Sequence, residues 1–215
     1  MIDPDGRDWY RHDETGAVLW RDSSDETYTF DNGDIYTNIG ESYTLDIGDG
    51  VSITFNQNTP ETMVENVLGE GDWSSQINNP ELGDCFPHSG IMVRASGAES
   101  YNTPDQNITD IAEGIEYLDR QVNLGRSARV HVDRIDVTTG QGSNRGVHWV
   151  AISSRTTNLR TGQTTSFRFF EPGTKWLESG TSLNNRLNVR QGSLIGPTEY
   201  SDDFTYKVIS VRRNR

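Results

Sequence analysis

The chain opens on short stretches in which aromatic and polar positions alternate. WYRHDETGAVLW, TYTFDNGDIYTNI and SYTLDIGDGVSITF each reverse at a turn signal, respectively Glu14–Thr15–Gly16, Asn32–Gly33 and Gly48–Asp49–Gly50. Period-two alternation on both sides of such turns predicts hairpins, and their regular spacing predicts a small antiparallel meander. Near Asn56 the pattern changes. Thr59–Pro60–Glu61 reads as a helix start, and Met63, Val64, Val67 and Leu68 supply an apolar stripe that ends at Gly69. The boundary is placed between Thr54 and Thr59, so that residues 1–56 form a hairpin-rich region and residues 57–215 a second domain.

Two more helices follow. In ELGDCFPHSGIMVRASG, Asp84 is placed to cap, Pro87 is tolerated because it falls in the first turn, and Gly97 is a left-handed stop after Ile91, Met92, Val93 and Ala95. From Thr109 to Leu124, Ile111, Ile115, Leu118 and Val122 recur at the spacing of one buried helical face, and Gly125 ends it. SARVHVDRIDV, GVHWVAISSRT, TTSFRFFE and FTYKVISVRR then alternate or run apolar, which predicts strands. Helices first and antiparallel strands after predict an α+β domain, its helices packed on a sheet.

Charge sharpens the division. Through Asp72 there are 17 acidic residues against three arginines, a net of −14, and from Trp73 onward 16 basic against 15 acidic, a net of +1, which together give the −13 of the whole chain. With no basic stripe, nucleic acid is excluded as a partner, because phosphate contacts need clustered Lys and Arg. No apolar run approaches the roughly 18 residues that span a bilayer. MIDPDGRDWY lacks the basic start and apolar core of a secretory signal, so no cleaved leader is expected.

Candidate chemistry begins with the single cysteine, Cys85, at the start of the second helix. Unpaired N–H groups and the positive end of the helix dipole favour negative charge there, although the neighbouring Asp84 works against it. A lone cysteine on an apolar helix is more often inert packing, so partners decide the matter. His148 shares a strand face with Val150 and Ile152, and Glu171 ends the strand that carries Phe167 and Phe169. Folding the chain about Asn158 to Gly162 brings His148 opposite Glu171 or Pro172, close enough for a carboxylate to orient an imidazole. A helix-borne thiol with a histidine and a carboxylate on neighbouring strands is the set that nucleophilic acyl transfer requires. Cys85, His88 and His131 fall short of a four-ligand zinc set, and no metal or cofactor is expected. His88 lies on the helix of Cys85 itself, where two groups rarely converge on a third reacting atom, and is expected to pack or face solvent.

GDCFPHSGIM, EYLDRQVNLGRSARVHVD, GVHWVAISSRT and FRFFEPGT together resemble the catalytic region of papain-like cysteine hydrolases. They are most similar to the branch shared by bacteriocin-processing double-glycine peptidases and papain-fold domains of bacterial polymorphic toxins. The resemblance runs from Trp73 to Arg215 and implies a papain-like α+β fold with Cys85 as nucleophile, His148 as base and Glu171 as the third member, where Asp or Asn is more usual. It also implies an oxyanion-binding amide six residues before the nucleophile; Asn79 stands there, with Gln76 a little further away. DWYRHDETGAVLWRDSS followed by GDIYTNIG is similar to stretches that precede toxin domains in Rhs-like and type VI secretion effectors. That likeness implies an antibacterial effector, secreted without a cleaved signal peptide into competitor cells and held in check by a cognate immunity protein.

Three readings stay open. The first is a cysteine-dependent amide hydrolase, a protease or peptidoglycan amidase acting on protein or on the stem peptides of the wall. The second is a deamidase or transglutaminase using the same triad. The third is a carbohydrate or cell-wall binding module in which Trp9, Tyr10, Trp20, Tyr28, Phe30, Tyr36 and Tyr43 form a sugar platform and Cys85 is inert.

Overall fold

A computed structural model describes residues 8–13, 18–21, 25–29, 33–40, 42–48, 50–56, 62–143, 146–158 and 161–215. The chain divides into two compact units, Met1–Val64 with Asn158–Gly162, and Glu65–Thr157 with Gln163–Arg215.

In the first unit the alternating stretches become strands: β1 (Asp8–His12), β2 (Val18–Arg21), β3 (Thr27–Thr29), β4 (Ile35–Gly40), β5 (Ser42–Gly48) and β6 (Val51–Asn56). β1 pairs with β2, β3 with β4 and β5 with β6, all antiparallel, as the three hairpins require. The first two hairpins do not follow one another as a meander. Their sheet runs β2-β1-β4-β3, with β1 inside it. The reason lies in β1 itself, whose Asp8, Tyr10 and His12 are all buried on one face. Tyr10 is fully enclosed and its hydroxyl donates to the Asp25 carbonyl at 2.9 Å, while Asn38 of β4 donates to the Asp8 carboxylate at 2.8 Å. Tyr10 thus serves as core, and Tyr28, Tyr36 and Tyr43 are half-buried. Phe30, Asn32, Asp49 and the turn at Glu14–Thr15–Gly16 lie outside the described residues, as do Thr59, Pro60 and Glu61.

The helix expected after Thr59 is a strand, β7 (Thr62–Asn66). Thr62, Met63, Val64 and Glu65 are all half-buried, so both faces are covered and the three-to-four spacing of Met63, Val64, Val67 and Leu68 carries no helical meaning. Beyond it, the Val67 and Leu68 N–H groups both donate to the Ser153 carbonyl, at 2.8 and 3.2 Å.

The second unit continues with α1 (Cys85–Ala95), β8 (Asn107–Ile108), α2 (Ile111–Asn123), β9 (Arg129–Asp136), β10 (His148–Asn158), β11 (Gln163–Phe170), α3 (Leu177–Gly180), β12 (Arg186–Arg190), β13 (Ser193–Gly196) and β14 (Phe204–Arg212). Asp110 caps α2 by accepting from the Ala112 and Glu113 N–H groups, and Gly125, at φ +69°, terminates it. The strands run β11-β12-β13-β14-β9-β10, and β10 pairs back to β11, closing a six-stranded barrel. Val130, Val150, Ile152, Phe167, Phe169, Leu187, Leu194 and Tyr206 fill it, each wholly enclosed, and Tyr117, Leu118 and Val122 of α2 join the same core.

This overturns the expected α+β, papain-like arrangement of helices packed on a sheet. The domain is mostly β, its sheet is closed, and among the described residues there are only three α-helices, all short. β12 and β13 make the difference, because they carry the sheet from β11 round to β14. They are short, β12 carries Arg186, Asn188 and Arg190, and their turn depends on Gln191 and Gly192 both adopting positive φ, 47° and 76°. That turn geometry suits the twist of a tight hairpin. No helix among the described residues is long and apolar enough to cross a membrane.

Candidate active site

Cys85 is the first residue of α1 because the chain is stopped and restarted just before it. Gly83 turns at φ +103°, Asp84 is extended, and the Asp84 carboxylate accepts the Phe86 N–H at 3.0 Å, capping the helix. Met92 and Val93, about two turns on, pack with Leu68, Ala98, Phe170 and Ala151 of β10, fixing the helix against that strand. The thiol comes to rest beside the start of β10, where the Trp149 N–H donates to Cys85 Sγ at 3.3 Å.

His148 opens β10 and turns inward with Val150 and Ile152, as strand alternation requires. Its Nε2 lies 2.5 Å from Oε1 of Glu171, which is fully buried just past β11. The additional methylene of Glu is accommodated by three further fixings. Gly173 N–H donates to Oε1 at 2.6 Å, Tyr206 Oη–H donates to Oε2 at 2.9 Å, and the Glu171 carbonyl accepts the Trp73 indole N–H at 2.8 Å. A side chain at Gly173 would begin 2.7 Å from Oε1, so glycine is required for that approach. Tyr206 also stacks on the imidazole, with ring centres 5.8 Å apart.

These contacts set the charges. Burial alone drives the His148 imidazole toward neutrality, but the Glu171 carboxylate, with hydrogen bonds to Cys85 and Glu171, outweighs it and raises the pKa to about 9. For Glu171, burial favours the neutral acid, and the His148 charge together with the His148, Gly173 and Tyr206 hydrogen bonds reverses this and holds the carboxyl below its ordinary range. Tyr206 is pushed far up, by burial and by the carboxylate it touches, and remains a hydrogen-bond donor. The pair is therefore imidazolium and carboxylate at neutral pH.

Cys85, His148 and Glu171 converge; Asn79 does not join them. Asn79 is exposed, and its N–H donates to the Ser75 carbonyl at 3.1 Å ahead of a short 3-10 turn. Gln76 is half-buried. The segment from Trp73 to Asn78 is laced to the chain after Glu171, with Ser75 Oγ–H donating to the Thr174 carbonyl at 2.6 Å and Gln76 N–H to the Pro172 carbonyl at 2.9 Å. Gln76 Oε1 is buried without a hydrogen-bond partner. His88 packs, fully enclosed, with Nδ1 2.7 Å from Ser74 Oγ. His131 stacks on Trp149 with ring centres 4.3 Å apart and planes nearly parallel. Among the described residues no group of His, Cys, Asp and Glu is arranged to hold a metal ion.

Tyr206, Gly173 and Trp73 are the residues that sequence reasoning missed. Alternation in FTYKVIS marks Tyr206 as core, but nothing local says that its hydroxyl braces an acid. The chain matches no protein-family model, no curated protein and no solved structure.

Proposed function

We propose that the chain is a cysteine-dependent amide hydrolase in which Cys85 is the nucleophile, His148 the proton carrier and Glu171 the group that orients it. One observation carries this reading: the residue next to the base touches the nucleophile, Trp149 N–H to Cys85 Sγ at 3.3 Å, while the base itself is gripped from behind by Glu171 at 2.5 Å. The thiolate attacks the amide carbonyl to give a tetrahedral oxyanion. Imidazolium then passes its proton to the departing amine, leaving a thioester on Cys85. Water, deprotonated by the now neutral imidazole, attacks the thioester and releases the carboxylic acid, returning sulfur to its starting state. Glu171 keeps the ring facing the sulfur and stabilises the imidazolium throughout.

The substrate is an amide in a protein or in a peptidoglycan stem peptide. The biological setting follows from the resemblance of the N-terminal stretch to effector sequences: an antibacterial toxin, delivered into competitor cells and neutralised by a cognate immunity protein. Production of the wild-type chain inside a bacterium is then expected to arrest growth, and Cys85→Ala and His148→Ala are expected to relieve the arrest. On an isolated substrate both variants fall by at least about 10³-fold in kcat/KM. Mass spectrometry of treated wall fragments and proteins identifies the outcome: a cut supports hydrolysis, whereas a Gln-to-Glu conversion or a crosslink assigns the same thioester to deamidation or transglutamination. Full activity in Cys85→Ala would end the proposal.

A further inference from the structure

Arg129, the first residue of β9, is a buried cation without a buried anion. It is 3% exposed, and no acidic side chain pairs with it among the described residues. Its Nη1 donates to the Phe86 carbonyl at 3.0 Å and its Nη2 to the Tyr101 carbonyl and Asn102 Oδ1, each at 3.2 Å, while Nε is buried with no partner. Its guanidinium lies 3.9 Å from the centre of the Phe86 ring. Leaving such a charge uncompensated in the interior is costly, and a fold that keeps it invites an explanation. Burial, and then the charges of Arg212 and Arg94, pull its pKa down to about 10, so positive charges are gathered here against their mutual repulsion.

The space beside it is open. A cavity of about 280 Å³ is lined by Phe86, Gly90, Arg94, Asn102 and Arg129, with Leu82 and Ile91 as apolar wall. Gly90 makes the room, since a Cβ there would begin 3.2 Å from Arg129 Nη1 and 3.8 Å from Arg94 Nη1. Two guanidinium groups thus face one gap, one buried and immobilised, the other exposed and free to close on a guest.

We propose that this cavity binds a carboxylate on a short apolar stem, held between Arg129 and Arg94 over Gly90. A carboxylate fits better than a phosphate, because three carbonyl oxygens already occupy much of Arg129's donor capacity and the remaining wall is apolar. The cavity abuts Phe86, the residue after the nucleophile, so it recognises an acidic group of the substrate near the scissile amide; this last role rests on the hydrolase reading, whereas the binding itself does not.

The test uses isovalerate and its neutral counterpart isovaleramide, titrated into the 215-residue Cys85→Ala chain, with and without Arg94→Gln, and followed by calorimetry or NMR. Isovalerate is expected to bind at least about 10-fold more tightly than isovaleramide, and Arg94→Gln, an exposed position, is expected to weaken isovalerate at least about 5-fold at unchanged Tm. Equal binding of acid and amide, no binding of either, or binding indifferent to Arg94 would overturn the site. In a second arm, the wild-type chain digests a peptide mixture and the cut sites are sequenced. A preference for acidic residues beside the cut that disappears in Arg94→Gln supports the substrate role, and cutting without such a preference removes that role while leaving the hydrolase intact. A chain that binds isovalerate selectively and cuts nothing keeps the site and loses the hydrolase.

Discussion

Glu171 is a carboxylate held from several sides, and its charge is what keeps His148 protonated. Replacing it by glutamine retains the shape and removes the charge, so the imidazole loses the partner that lifts its pKa to about 9. The wild-type pH–rate profile is expected to fall on the alkaline side near pH 9, where His148 ceases to protonate the leaving amine. In Glu171→Gln that limb moves toward neutrality and kcat drops by about 10²- to 10⁴-fold. An unmoved limb would mean that the glutamate is merely a buried strut. At this scale much was legible from the sequence. Capping chemistry placed Cys85 at a helix start and strict alternation placed His148 and Glu171 opposite each other, because both rules are local. The exposed position of Asn79 was not legible, since it depends on how the preceding Trp73–Asn78 segment is tied to the acid and the chain after it, and those ties span nearly 100 residues.

Elements tell a different story. The amphipathic α2 and the four apolar strands were readable, since each carries enough periods to establish its repeat. β12 and β13 were not, because five and four residues interrupted by Asn188, Arg190 and a Gln-Gly turn look like loop, and they become strands only when flanked by β11 and β14. Missing them turned a closed barrel into an open sheet. The segment at Thr62–Asn66 failed for the opposite reason: its apolar spacing is compatible with a helix, and burial on both faces decided for a strand. The weight borne by the short hairpin can be measured. Leu194 of β13 is fully enclosed, so Leu194→Ala is expected to cost about 2–5 kcal/mol in chemical denaturation. A loss below about 1 kcal/mol would show that β13 is a surface addition and not part of the wall.

For the molecule as a whole, the buried pair couples stability to pH. His148 has its pKa raised from an ordinary 6.5 to about 9, so its contribution is complete below about pH 6.5 and is lost as pH rises through about 9. Glu171 is displaced downward from 4.5, so its contribution is complete above about pH 4.5 and is lost as pH falls through its lowered value. Both are present in full between about pH 4.5 and 6.5, and the alkaline decline is worth up to about 3 kcal/mol. Denaturation midpoints measured across pH 4 to 10 check this, with Glu171→Gln flattening the alkaline slope. A wild-type profile already flat from pH 6 to 10 would contradict the charged pair.

The ring of strands has one more implication. A closed wall offers no hinge along which the imidazole and its acid can be drawn apart, and both are seated in that wall or sealed behind it. Only the sulfur approaches from outside, on a helix laid against the ring. If the chain is the hydrolase proposed above, an inhibitor therefore has little to gain by bending the wall and acts at the thiol itself.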